Sequence, residues 1–170
     1  TMPMLENFTF EEITVGQGAS YSRTVSEDDL LLFAAVSGDV NPVHLDEQFA
    51  AGTQFKGRIA HGMYTGGLVS AAIAMTLPGP GTIYLGQDLR FERPVRIGDT
   101  ITVQLTVLEK TEEKKLVKLQ TVASNQNGKV VVTDPGKAKV ADWMQQHAVP
   151  SKPKPVKRVY IPKANGKQRP

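Results

Sequence analysis

The sequence predicts an α+β domain in which an antiparallel sheet wraps one long buried helix. Between residues 63 and 77, Leu68, Val69, Ala71, Ala72, Ile73, Ala74 and Met75 leave no polar face wide enough to meet water, so a helix there must be buried on nearly every side. Strands then follow one another with no helices between them, which favours a wrapped antiparallel sheet over a parallel one. In one of them, Ile101, Val103, Leu105 and Val107 alternate with Thr102, Gln104 and Thr106, the period of a strand with one buried face.

Taken in order, residues 19–25 read as a strand. Ser26 then offers an N-cap, with Glu27, Asp28 and Asp29 in the first turn, where the helix dipole favours acids. Leu30, Phe33, Ala34 and Ser37 share one face of the helix that follows, and Gly38 is a natural stop. From 38 to 59 the pattern breaks up: Asn41-Pro42 signals a turn, and Asp46 can cap a short helix through Ala51. Gly66 and Gly67 each cost about 1 kcal/mol relative to Ala inside the apolar helix, so close packing against both is expected. The run Leu77-Pro78-Gly79-Pro80-Gly81 ends that helix. Strands are expected over 83–91, 101–107, 116–124, 129–133 and 137–142, with Asn127-Gly128 as a hairpin turn. Such a sheet spans the helix but leaves one flank open, and a second copy of the chain is the simplest cover.

Composition narrows the chemistry. The chain has 170 residues and no cysteine, which excludes disulfides, thiolate nucleophiles and Cys-ligated metal sites. With three histidines, His44, His61 and His147, a His-rich metal site is not expected. The net charge of +3 hides a division: residues 150–170 hold seven cations and no acid, leaving 13 cations against 17 acids in residues 1–149, a balance of −4. The body therefore has no electrostatic case for binding nucleic acid. The tail, rich in Pro and Lys, reads as a flexible extension or linker. Neither a secretory signal nor a membrane-spanning run stands out, so a cytoplasmic protein is expected.

The residues able to do chemistry cluster in Ser37-Gly38-Asp39-Val40-Asn41-Pro42-Val43-His44-Leu45-Asp46 and in His61-Gly62-Met63 at the start of the buried helix. Pro42 forbids one helix running through both Asp39 and His44, and a loop can bring a carboxylate beside an imidazole as a general acid–base pair. Singly, each has a plainer reading. Asp39 can be a turn former, Asp46 a helix cap, and His44 a satisfied, half-buried histidine. Lys56, Arg58, Arg90 and Arg93 are cations without a motif, for which an ordinary solvated role is expected over contact with phosphates.

The runs SGDVNPVHLD, IAHGMYTGGL and IYLGQDLRFERPVRIGDTITV closely resemble the MaoC-like, (R)-specific enoyl-CoA hydratases, whose domains have the hot dog fold. The resemblance extends over about residues 8–140 and implies a MaoC-like domain within 1–149, with 150–170 as the basic tail. It implies hydration of trans-2-enoyl-CoA to (R)-3-hydroxyacyl-CoA, with Asp39 and His44 activating one water. Gly62 would supply a backbone N–H to the thioester oxygen, while Asn41, His61 and Met63 would line the substrate site. Coenzyme A would be part of the substrate, with no separate cofactor or metal, and a homodimer is expected. Alternatives on the same fold are a thioesterase, disfavoured by the Asp39, His44 and Gly62 set, and a non-catalytic acyl-thioester binding module, which has no use for a water-activating pair. Asp134-Pro135-Gly136 departs from the family pattern, so a bent or bulged last strand is expected there.

Overall fold

The structure is a computed structural model that describes residues 7–133 and the backbone of 138–142. Its elements are β1 (Gly18–Thr24), α1 (Glu27–Ser37), α2 (Pro42–Leu45), α3 (Glu47–Ala51), α4 (Gly62–Met75), β2 (Thr82–Gly86), β3 (Arg90–Phe91), β4 (Thr100–Thr111), β5 (Leu116–Ser124), β6 (Val130–Thr133) and β7 (Ala138–Asp142). All strand pairs are antiparallel. Strand β4 lies between β1 and β5; β5 pairs with β6 near its end and with β7 near its start, and β3 and β2 continue outward from β6 and β7. The expected strand over 83–91 is thus two short strands, β2 and β3, each on its own partner. The Asp134-Pro135-Gly136 interruption lies outside the described residues.

Local chemistry explains the first helix. Ser26 accepts from the Asp29 N–H while the Asp29 carboxylate accepts from the Ser26 N–H, a reciprocal capping box. Gly38 ends α1 in the left-handed conformation, at φ 77°, that glycine adopts without a Cβ penalty. The core is the meeting of α4 with the inner face of the sheet: Leu68, Val69, Ala72 and Ile73 pack against Ile101, Val103, Leu105, Val107, Val117 and Leu119. Burying each of the Val, Leu and Ile side chains stabilises the fold by about 1.5–3 kcal/mol.

Two expectations need correction. Helix α4 is not buried on every side, because the sheet covers only one of its flanks: Met63, Gly67, Ser70 and Ala74 form an exposed stripe, and Met63 is 58% exposed. The glycines also differ. A Cβ on Gly66 would come within 2.9 Å of Leu89 Cδ1, as close packing requires, but one on Gly67 would meet nothing within 4 Å among the described residues.

Candidate active site

The site is built where the irregular segment meets the start of α4. The Asn41-Pro42 turn signal proves to be a helix start: Pro42 opens α2 at its first position, where its missing N–H is no loss, and the Asn41 side chain caps the turn by accepting from the Val43 N–H at 3.2 Å. Helix α2 is one turn long, and it carries His44 inward. The His44 side chain is 10% exposed and its Nδ1 lies 2.8 Å from the Ile59 carbonyl oxygen. A carbonyl only accepts, so Nδ1 carries the proton and Nε2 presents a lone pair. Asp46 caps α3 by accepting from the Phe49 N–H.

Asp39 stands just outside α1, its side chain 52% exposed, with Oδ2 3.9 Å from His44 Nε2. That gap is too long for a direct hydrogen bond and is wide enough for one water to sit about 2.8 Å from each atom. The other Asp39 oxygen, Oδ1, accepts from the Asn41 N–H at 3.2 Å. His61 is 2% exposed and lies with its ring stacked on His44, centroids 3.8 Å apart, and against Phe33 on a second side at 4.9 Å. Its Nε2 donates to the Asp39 backbone carbonyl at 2.9 Å.

Gly62 is the first residue of α4, and its N–H has no acceptor among the described residues. It is therefore an unpaired donor at the positive end of a helix of 14 residues. It opens onto a cavity of about 400 Å³ whose floor is apolar, formed by Ile59, Val95 and Val132, with His44 and His61 in its wall. At the mouth the Phe91 ring rests over Gly62, where a Cβ would come within 3.1 Å of it. Met63 does not line this cavity and is exposed, with the tip of its side chain beside Gly66, and the Asn41 side chain is occupied as a cap.

The sequence also pointed to cations. Arg58 is a structural bridge between helices, pairing with Glu27 at 2.8 Å and Glu47 at 3.4 Å. Arg93 donates to the Val130 carbonyl and Arg90 pairs with Glu92, while Lys56 is exposed. Arg96, which the sequence did not single out, donates to the Phe55 carbonyl beside the cavity. Asp39, His44 and His61 offer ligand atoms within 4.8 Å of one another, but they fit a metal poorly. Lone pairs of two stacked imidazoles run side by side instead of converging on one ion about 2.0–2.1 Å from each nitrogen.

With this arrangement in view, the comparisons with known proteins are specific. Residues 10–128 match the family described as the MaoC like domain. The chain belongs to that family. The MaoC-like domain is 50% identical over 123 residues to the (R)-specific enoyl-CoA hydratase of Rhodospirillum rubrum, across 72% of this chain and 85% of that protein. Its fold superposes on the unliganded R-hydratase of Pseudomonas aeruginosa with a TM-score of 0.76 and 57% identity, covering 80% of this chain and 86% of that one. The (R)-hydratase of Aeromonas caviae involved in PHA biosynthesis matches with a TM-score of 0.73 and 40% identity, covering 77% of this chain and 98% of that one. The architecture is the hot dog fold expected from the sequence motifs.

Proposed function

We propose that this MaoC-like domain is an (R)-specific enoyl-CoA hydratase that adds water across the double bond of a trans-2-enoyl-CoA to give the (R)-3-hydroxyacyl-CoA. The observation that carries the reading is the 3.9 Å gap between Asp39 Oδ2 and His44 Nε2 at the wall of an apolar cavity. A water held there faces two acceptors, the carboxylate and the Nε2 lone pair, which together orient its oxygen and take its proton as the bond to C3 forms. Negative charge then builds on the thioester oxygen, and the Gly62 N–H is the donor placed to receive it. A proton returns from the same pair to C2 on the face that the water attacked, so both new bonds form on one face of the alkene. No electron leaves or enters the substrate, and coenzyme A arrives as its carrier, so the chemistry asks for no separate cofactor. The acyl chain lies along Ile59, Val95 and Val132.

A second copy of this chain is the proposed partner. It would cover the exposed Met63, Gly67, Ser70 and Ala74 stripe together with Leu32 and Val36 of α1, and a packed backbone there would give Gly67 the close neighbour that the described residues of its own chain do not provide. Among the described residues no helix is long and apolar enough to cross a membrane. We place the protein in the cytoplasm, with 150–170 as an extension of the catalytic domain.

Purified full-length protein given a short trans-2-enoyl-CoA should consume the conjugated thioester without releasing free thiol, and chiral analysis should find the (R)-3-hydroxyacyl product. Thiol release would indicate a thioesterase. Tight binding without turnover would indicate a binding module.

A further inference from the structure

His61 is a buried side chain to which the water-addition chemistry assigns no step. Its Nε2 bonds to the Asp39 carbonyl at 2.9 Å, and its Nδ1 is buried without a hydrogen-bond partner among the described residues. Because a carbonyl only accepts, the proton sits on Nε2 and the ring's one available donor is spent on Asp39. The two other hydrogen bonds of Asp39 among the described residues are local: its N–H donates to Ser37 Oγ and its Oδ1 accepts from the Asn41 N–H, each two residues away. The bond from His61 spans 22 residues and ties the loop to the start of α4. Its ring is also held on two sides, by His44 and by Phe33, so it has little freedom to swing.

We infer that His61 is a positioning residue: it anchors the half-exposed Asp39 to the helix start that carries the Gly62 N–H, and so sets the distance between the water that attacks C3 and the donor that meets the thioester oxygen. This inference rests on the hydratase reading. The two ends of the reaction lie on separate segments, a loop after α1 and the first turn of α4, and His61 joins them through one side-chain bond and one peptide bond. Loss of the anchor leaves the cavity and its apolar floor in place. It therefore lowers turnover with little effect on substrate binding.

The test uses full-length protein and two substitutions that separate the donor from the ring. His61→Phe keeps a flat ring between His44 and Phe33 but cannot donate, and His61→Gln keeps an N–H near the Nε2 position without the ring. His61→Phe should lower kcat by about 10- to 100-fold with KM within about threefold, the scale expected for misplaced reacting groups. His61→Gln should recover most of the loss. Wild-type turnover in His61→Phe, or equal losses in both variants while both remain folded, would overturn the inference, as would a loss confined to KM. Imidazole 15N NMR of the wild-type protein provides a readout independent of turnover and of variant folding. The His61 signal should be that of the Nε2–H tautomer, and an Nδ1–H tautomer would overturn the inference. Absence of wild-type hydration together with the Nε2–H tautomer would overturn the hydratase reading and, with it, the catalytic purpose given to His61, while leaving the anchor itself standing.

Discussion

His44 can face Asp39 because the Ile59 carbonyl turns its ring, holding Nδ1 at 2.8 Å and leaving Nε2 for the cavity. Asp39→Asn keeps the size of the side chain but removes the carboxylate, and His44→Gln removes the imidazole lone pair. Each should lower kcat by about 10²–10⁴, the usual contribution of a general acid–base group, with KM much less affected. In the proposed mechanism both act on one water, so the double variant should be little worse than the more damaged single one. Steady-state kinetics of the four proteins check this, and additive losses would mean separate tasks. The pair was legible in the sequence because loop, carboxylate and imidazole stand within six residues, 39 to 44. What turns and anchors them was not. Ile59 lies 15 residues from His44, and His61 lies 22 from Asp39, distances at which no periodicity or turn rule links two residues.

At the scale of elements, local rules read well and tertiary ones did not. The Ser26 cap, the Gly38 stop and the inward alternation of β4 follow from sequence, since each depends on residues a few positions apart. The partner of Asp29 does not: Arg23 Nη2 reaches it from β1 at 2.5 Å. Burial raises the Asp29 carboxyl, but the Ser26 N–H, the Arg23 guanidinium and the Ser26 hydroxyl outweigh it and hold the pKa at about 2, against the usual 3.8. A depressed folded-state pKa stabilises the fold above the unfolded value and loses that contribution as protons bind. The stability from Asp29, at most about 2 kcal/mol, should therefore be complete above pH 4 and fade as pH falls from about 3.8 toward 2. Thermal midpoints of wild type and Asp29→Asn should differ most near neutrality and converge through that window. A constant difference would assign the effect to packing.

The first turn of α4 allows a sharper separation of fold from chemistry. Gly62 is the first helical position, and His61 before it is extended at φ −57° and ψ 137°, the backbone that a following proline prefers. Gly62→Pro should therefore leave α4 formed while deleting the N–H proposed for the thioester oxygen. Gly62→Ala retains that N–H, and its Cβ displaces the half-exposed Phe91 ring. A loss in kcat of about 10²–10³ is expected for Gly62→Pro, the range for removing one oxyanion donor, with circular dichroism unchanged. A smaller loss is expected for Gly62→Ala. Equal losses would place the effect in the Phe91 contact.

For the whole molecule, the sequence pattern said that α4 needs cover all round, and one sheet supplies only part of it. Large apolar side chains are exposed on three elements: Val36 is 87% exposed on α1, Met63 58% on α4 and Leu85 54% on the edge strand β2. Leu32 and Val36 of α1 line one groove with Gly67 of α4, and a contiguous apolar patch of that kind is the sort that marks an interaction surface. If a second copy covers them, the interface should be obligate in scale, about 2,000 Å² or more in total, and the wild type should sediment as a dimer at micromolar concentration. Gly67→Glu tests the geometry. Among the described residues of one chain a Cβ at Gly67 meets nothing within 4 Å, and Glu favours a helix over Gly by about 0.5–1 kcal/mol, so the folded subunit should not be weakened. Between two copies, the same carboxylates would be buried against close-packed backbone without partners, and the dimer should dissociate at least tenfold more readily. Sedimentation of Gly67→Glu as a dimer indistinguishable from wild type would exclude the α4 stripe from the interface, and a wild-type monomer would mean that the apolar surface serves a different partner.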